Sequence, residues 1–125
     1  MSQKKDTVLV IDDDVHILGM LQRILELEGF RVLTAGGGSA GLQVFARENP
    51  SVVLLDIMMP EMDGYDVCKR IRQSSKVPII MVSAKGRPEE KAHALNNGAD
   101  DYLTKPFSAK ELATRIRTVL RRVSV

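Results

Sequence analysis

The sequence predicts an α/β domain, a doubly wound sheet of five parallel strands in the order 2-1-3-4-5 with five helices, and three observations carry that expectation. Val52-Val53-Leu54-Leu55 and Val8-Leu9-Val10-Ile11 are short, unbroken apolar runs rich in β-branched residues, the pattern of strands buried on both faces. Runs of this kind alternate with helical periodicity five times, which calls for right-handed crossovers on both faces of a parallel sheet. A chain of 125 residues, 44% hydrophobic and without a low-complexity tract, suits one domain, 1–125, with one real core.

Composition narrows the function classes. The N-terminus carries no signal-peptide pattern and no apolar run is long enough to cross a bilayer, so a cytoplasmic location is expected. Lys plus Arg number 18 against 16 for Asp plus Glu, too small an excess to imply nucleic-acid binding. Cys68 stands alone, can form no internal disulfide, and reads as a half-buried, inert thiol.

Taken in order, residues 1–6 are polar and aperiodic, a flexible tail before the strand Val8 to Ile11. Asp14 is placed to cap a first helix, with Ile17, Leu18, Leu21, Ile24 and Leu25 at helical spacing and Gly29 at its end. His16 lies near the acids, but a single imidazole without a second is a poor metal-site signal. Arg31 to Ala35 is a more polar strand that suits a sheet edge. Gly36 to Gly41 opens a helix whose apolar face reads as Leu42, Phe45 and Ala46, ending near Asn49-Pro50.

After the strand that ends at Asp56, Pro60-Glu61-Met62-Asp63-Gly64 is turn chemistry, and Tyr65 to Gln73 is a helix with Val67 and Ile71 inward. Val77 to Ser83 is a further buried strand. Pro88 suits the first turn of a helix running to Asn97, with Gly98 at its end, and His93 reads as a solvated or partly buried residue. Asp101 to Thr104 is the last strand, and Ser108 caps a closing helix whose buried stripe is Leu112, Ile116, Val119 and Leu120. Residues 122–125 could begin a linker.

In the order 2-1-3-4-5 the winding reverses between the first and third strands, so Asp12 and Asp13 face Asp56 across a crevice at the strand ends. Three carboxylates so placed need a counter-charge, and all-oxygen ligation matches Mg²⁺ or Mn²⁺ better than zinc. Lys105 and Ser83 end strands on the same edge. A carboxylate nucleophile, a hard cation, a lysine and a hydroxyl together suit phosphoryl transfer.

These residues, with Met59-Pro60, Asp63-Gly64, Ala84, Gly98-Ala99-Asp100-Asp101-Tyr102 and Pro106-Phe107, give the chain a strong resemblance to the receiver domains of two-component response regulators. The likeness covers essentially the whole length and is greatest to receivers of the winged-helix DNA-binding subfamily, which are flavodoxin-like in fold. It implies a phosphoacceptor signalling domain rather than an enzyme with a substrate of its own. Asp56 would take a phosphoryl group from a sensor histidine kinase or a histidine phosphotransfer protein. Asp13, Asp56 and the backbone carbonyl of Met58 would bind Mg²⁺, Asp12 would hold a metal-bound water, and Lys105, in a cis bond to Pro106, would contact phosphoryl oxygens. Ser83 would hydrogen-bond the phosphoryl group and Tyr102 would swing inward as the switch. Gly41 stands where the family usually carries alanine, at a helix cost of about 1 kcal/mol, and Ser51 replaces a common acid.

The same resemblance implies a homodimer formed on phosphorylation through the fourth helix, fifth strand and fifth helix. Lys91 would stand opposite Glu111 and Asp101 opposite Arg115 of the partner, with Asp100 and Arg122 on the same face and Ala92, Leu95 and Ala113 as its apolar centre. DNA would be reached only through an effector domain outside this chain. Two places beyond Asp56 and Ser83, Met58 cannot hydrogen-bond a hydrolytic water and Lys85 carries no acid to orient it, so slow self-dephosphorylation is expected. Two other classes compete. An aspartyl-phosphate phosphatase would need D-x-D-x-[TV], and His16 stands two places after Asp14. A nucleotide-binding module would use Gly36, Gly38 and Gly41 as G-x-G-x-x-G, but that turn follows a polar, edge-like strand.

Overall fold

A computed structural model describes residues 5–123. Its elements are β1 (Thr7–Ile11), α1 (Val15–Leu27), β2 (Arg31–Ala35), α2 (Gly38–Glu48), β3 (Val52–Asp56), α3 (Gly64–Arg72), β4 (Ile79–Ser83), α4 (Pro88–Asn96), β5 (Asp101–Thr104) and α5 (Ala109–Val123). The strands form one parallel sheet in the order β2-β1-β3-β4-β5, as the alternation of elements predicts.

Alternation along each strand divides the core in two. Leu9, Ile11, Val53, Leu55, Ile79 and Met81 face α2, α3 and α4, where Val67, Cys68, Ile71 and Ala94 meet them. Val8, Val10, Val52, Leu54, Ile80 and Val82 face α1 and α5, meeting Leu21, Leu25, Leu112, Ile116 and Val119. Central strands buried on both faces thus need apolar residues at every position, which is why β1, β3 and β4 read as unbroken runs.

Local signals set the helix ends. The Asp14 carboxylate accepts from the N–H groups of His16 (2.9 Å) and Ile17 (3.4 Å), the Asp63 carboxylate from Asp66 N–H (3.0 Å), and Ser108 Oγ from Glu111 N–H (2.9 Å). Gly29 and Gly98 follow α1 and α4 at φ 96° and 104°, a region glycine enters without steric cost.

Several boundaries and burials differ from the sequence reading. Residues 1–4 and 124–125 of the expected tail and linker lie outside the described residues, but the Asp6 carbonyl already accepts Arg31 N–H at 3.0 Å, and Arg122 and Val123 continue α5. Cys68 is fully buried rather than half-buried, its Sγ donating to the Asn97 carbonyl at 3.3 Å. The inward face of α2 is built from Gly38 and Gly41, with Leu42 and Phe45 half-buried and Ala46 exposed. Ser51, where an acid is common, donates nothing to the crevice and instead accepts Thr7 N–H at 3.0 Å, tying the start of β1 to the start of β3.

The glycines of α2 are there for closeness. A Cβ on Gly41 would lie 2.5 Å from Ile11 Cδ1, and one on Gly38 would lie 3.0 Å from Met62 and Val67. Packing against β1 and α3 therefore accounts for two of the three glycines in the nucleotide-like pattern. Gly19, in exposed mid-α1, has open space where a Cβ would go. Gly19→Ala is expected to stabilise by about 1 kcal/mol from helix propensity, and Gly41→Ala to destabilise by roughly 1–3 kcal/mol from overpacking. Denaturant midpoints check both signs, and equal shifts in one direction would contradict the packing account.

Candidate functional site

Three backbone facts converge the acids. Ile11 pairs with Leu55 in register, so Asp12 and Asp13 leave β1 beside Asp56 at the end of β3. Asp12 N–H is held by the Ala35 carbonyl at 3.1 Å, and Ile57 N–H, just past Asp56, by the Val82 carbonyl at 3.2 Å. Lys105 N–H donates to the Ser83 carbonyl at 2.8 Å, which brings the end of β5 to the same edge. The oxygens of Asp12, Asp13 and Asp56 then lie within 4.8 Å of one another.

Asp12 and Asp56 are buried and Asp13 is exposed. Asp12 Oδ1 accepts Asp14 N–H at 2.9 Å, while Lys105 Nζ stands 3.6 Å from Asp12 Oδ2 and 3.5 Å from Asp56 Oδ1. One ammonium cannot balance three carboxylates. Burial accordingly raises the Asp12 carboxyl above its ordinary range, against the Asp14 hydrogen bond and the Lys105 charge. Asp56 is pushed up to about 6, first by burial and then by the charge of Asp12, with Lys105 opposing. An all-oxygen, over-charged cluster is the donor set a hard divalent cation fits, and Met58 follows Asp56 by two residues in the adjoining loop. His16 is exposed and stands outside this cluster.

Ser83 is buried, and its Oγ accepts Lys85 N–H at 3.1 Å. Tyr102 lies inward, buried among the core residues, and its hydroxyl donates to the Lys85 carbonyl. Tyr102 therefore already lies inward in this structure. The bond from Lys105 to Pro106 is cis.

On the expected dimer face, Lys91, Ala92, Glu111 and Arg122 are exposed and Leu95 is 41% exposed. Arg115 pairs within the chain, 3.1 Å from Asp101 and 3.9 Å from Glu111. One of the expected residues does not belong there, and a second, though exposed, is engaged within the chain. Ala113 faces the core at 1% exposure, because it follows Leu112 on the buried stripe of α5. Asp100 is held by Arg72 on α3 and by Ile79 N–H, both at 2.8 Å.

Arg72 is the residue that sequence reasoning missed. It also donates to the carbonyls of Gly98 (2.9 Å) and Val77 (2.7 Å), so one guanidinium ties the end of α3 to the loops entering β4 and β5. An arginine closing a helix whose other face is apolar is the signal that was available.

The comparisons agree with this geometry. Residues 8–117 match the response regulator receiver domain family. The chain is 49% identical over 98% of its length to a protein of Pyropia yezoensis described as a probable transcriptional regulator, ycf27, of which it covers 50%. It is 47% identical over 93% of its length to the sensory transduction protein RegX3 of Mycolicibacterium smegmatis, covering 51% of that protein. The chain thus spans about half the length of the curated relatives it matches. Among solved structures, the receiver domain of Francisella response regulator 1452 is similar at a TM-score of 0.91 and 37% identity, with 95% of this chain and 99% of that one covered. A receiver domain protein from Clostridium thermocellum is similar at 0.89 and 30% identity, with coverage of 95% and 97%.

Proposed function

The chain belongs to the response regulator receiver domain family, and from that premise we propose that Asp56 is its phosphoacceptor, fed by a sensor histidine kinase or a histidine phosphotransfer protein. The observation that carries this reading is a buried Asp56 at the end of a central strand, clustered with Asp12 and Asp13 and 3.5 Å from Lys105. A carboxylate oxygen of Asp56 attacks the phosphorus of the phosphohistidine. A new O–P bond forms as the N–P bond breaks, and its electron pair leaves on the imidazole nitrogen.

Asp13, Asp56 and the Met58 carbonyl would hold Mg²⁺ or Mn²⁺, with Asp12 reaching it through water. Bound there, the cation would neutralise charge on the transferring phosphoryl oxygens. Lys105 supplies the second positive group to those oxygens, and Ser83 turns its hydroxyl to the phosphoryl group once it gives up Lys85 N–H. Tyr102, already bonded to the Lys85 carbonyl, carries that change into the segment before α4. No helix among the described residues is long and apolar enough to cross a membrane; the site of action we propose is the cytoplasm.

The test is intact-mass measurement after incubation with a small phosphodonor. A single phosphoryl adduct is expected with Mg²⁺ and none after chelation, and it should persist for minutes or longer, since Met58 cannot hydrogen-bond a water and Lys85 carries no acid to orient one. Rapid catalytic turnover of the donor would favour a phosphatase, and no adduct at all would remove the phosphoacceptor reading.

The output we propose is a two-fold dimer through α4, β5 and α5, with Lys91, Asp101, Glu111, Arg115 and Arg122 as its charged rim and Ala92 and Leu95 at its centre. Each rim pair occurs twice across a two-fold axis, and Arg115 must exchange its own Asp101 for the partner's. Sedimentation of the phosphorylated form should show Arg115→Asp monomeric and the double variant with Asp101→Arg dimeric again. A single reversal that dimerises like the parent would place the output elsewhere. DNA binding would belong to an effector module outside this chain.

A further inference from the structure

Two polar groups on the seam between α3 and α4 lack partners. The Tyr65 hydroxyl is buried with no hydrogen-bond partner, and its ring meets the edge of His93 on α4 with centroids 4.5 Å apart. Glu90 lies three residues before His93 and so shares its side of the helix. It is half-buried while Pro88, Glu89 and Lys91 to His93 are exposed, yet among the described residues its carboxylate has no ion pair or hydrogen bond. An orphan donor on α3 and an idle acceptor on α4 thus lie on the same seam, joined through the Tyr65–His93 ring contact. The charge of Glu90 bears on Tyr65 as well, adding to burial in raising its hydroxyl above the ordinary range, with Tyr102 and Asp63 contributing less.

The helix between them is lightly held. The N-cap of α4, Arg87, makes no side-chain hydrogen bond, and Ala94 is its only buried residue. What fixes the approach to α4 is Lys85, whose N–H is held by Ser83 Oγ and whose carbonyl is held by Tyr102. A phosphoryl group that draws Ser83 Oγ toward itself, away from Lys85 N–H, takes the first of these away. The first turn of α4, which carries Glu90, is then the part freed to move.

We propose that Tyr65 and Glu90 form a latch: the Tyr65 hydroxyl donates to the Glu90 carboxylate when the first turn of α4 shifts, and this bond stabilises the phosphorylated arrangement over the resting one. The inference rests on the phosphoacceptor reading above. In the resting state the buried hydroxyl is left unsatisfied, a cost that its removal relieves, whereas in the shifted state it gains a charged acceptor. Tyr65 acts here as a positioning residue, remote from the reacting atoms.

A double-substitution cycle with Tyr65→Phe and Glu90→Gln tests it, read as denaturant midpoints with Mg²⁺ alone and with Mg²⁺ plus excess phosphodonor. In the resting form Tyr65→Phe should raise the midpoint and the two changes should add. With phosphodonor they should be non-additive, with a coupling of roughly fivefold in the folding equilibrium, the size of one net hydrogen bond. Tyr65→Phe lowering the resting midpoint would show that the hydroxyl is already satisfied, and additivity in both conditions would show that no latch forms; either overturns the proposal. Mass spectrometry on the same samples separates the two layers: no adduct on the parent sinks the phosphoacceptor reading and the latch together, while an adduct with an additive cycle sinks the latch alone.

Discussion

Asp56→Asn is expected to abolish the phosphoryl adduct and, in metal-free buffer at neutral pH, to make the protein more stable than the parent. The two effects have one source. Asp56 in the folded protein is pushed up to about 6 from 3.8, so the folded state binds its proton more tightly than the unfolded chain. For an acid shifted upward, stability is fully present below the unfolded value and is lost as pH rises through the folded one. The metal-free parent should therefore lose stability from about pH 4 to pH 7, by up to about 3 kcal/mol at 1.36 kcal/mol per unit, and the upward shift of Asp12 adds in the same direction.

Asparagine keeps the side-chain shape and drops the charge, so the variant should show a shallower slope. Millimolar Mg²⁺ should raise the melting temperature of the parent by mass action and that of the variant much less. Thermal melts across pH 4–8, with Mg²⁺ or chelator, check all of this. A parent and variant with superimposable metal-free profiles would mean that the three carboxylates do not burden the fold.

Gly64→Ala is expected to damage stability and phosphorylation together, although Gly64 bears no functional group. A Cβ there would lie 2.6 Å from the Asp56 carbonyl oxygen and 2.8 Å from Ile57 Cα, both backbone atoms that no rotamer change can move. Gly64 N–H also donates to the Ile57 carbonyl at 2.9 Å, so the start of α3 is pressed onto the end of β3. Alanine must push one away from the other. A loss on the order of 1–3 kcal/mol is expected from overpacking, with a fall in phosphorylation rate of up to roughly a hundredfold if Asp56 is displaced by about 1 Å. Equilibrium denaturation and phosphodonor kinetics measure the two losses. A variant with the parent's midpoint and rate would show that the contact yields without moving Asp56.

Much of the molecule is legible in its sequence. Unbroken apolar runs in β1, β3 and β4 could only be strands covered on both faces, and alternation with amphipathic helices then required a parallel, doubly wound sheet. That topology in turn brings Asp12, Asp13, Asp56, Ser83 and Lys105 to one edge, because strand ends in a parallel sheet share a side. The motifs were readable because each depends on short spacing at a strand end.

What only the tertiary structure decided involves contacts between residues far apart in the chain. Asp100 reads with Asp101 as a surface pair, yet a guanidinium 28 positions away ties it to α3 while it stays exposed. Ala113 looked like an interface residue until the roll of α5 on the sheet turned it inward. Gly41 read as a helix defect, whereas its missing Cβ is what lets α2 approach Ile11. Tyr65 read as an ordinary helix residue, and its orphaned hydroxyl facing α4 exists only once α3 and α4 are packed side by side. Periodicity reports which face of an element is apolar; it cannot report what stands against that face, since that depends on distances between elements no local pattern encodes.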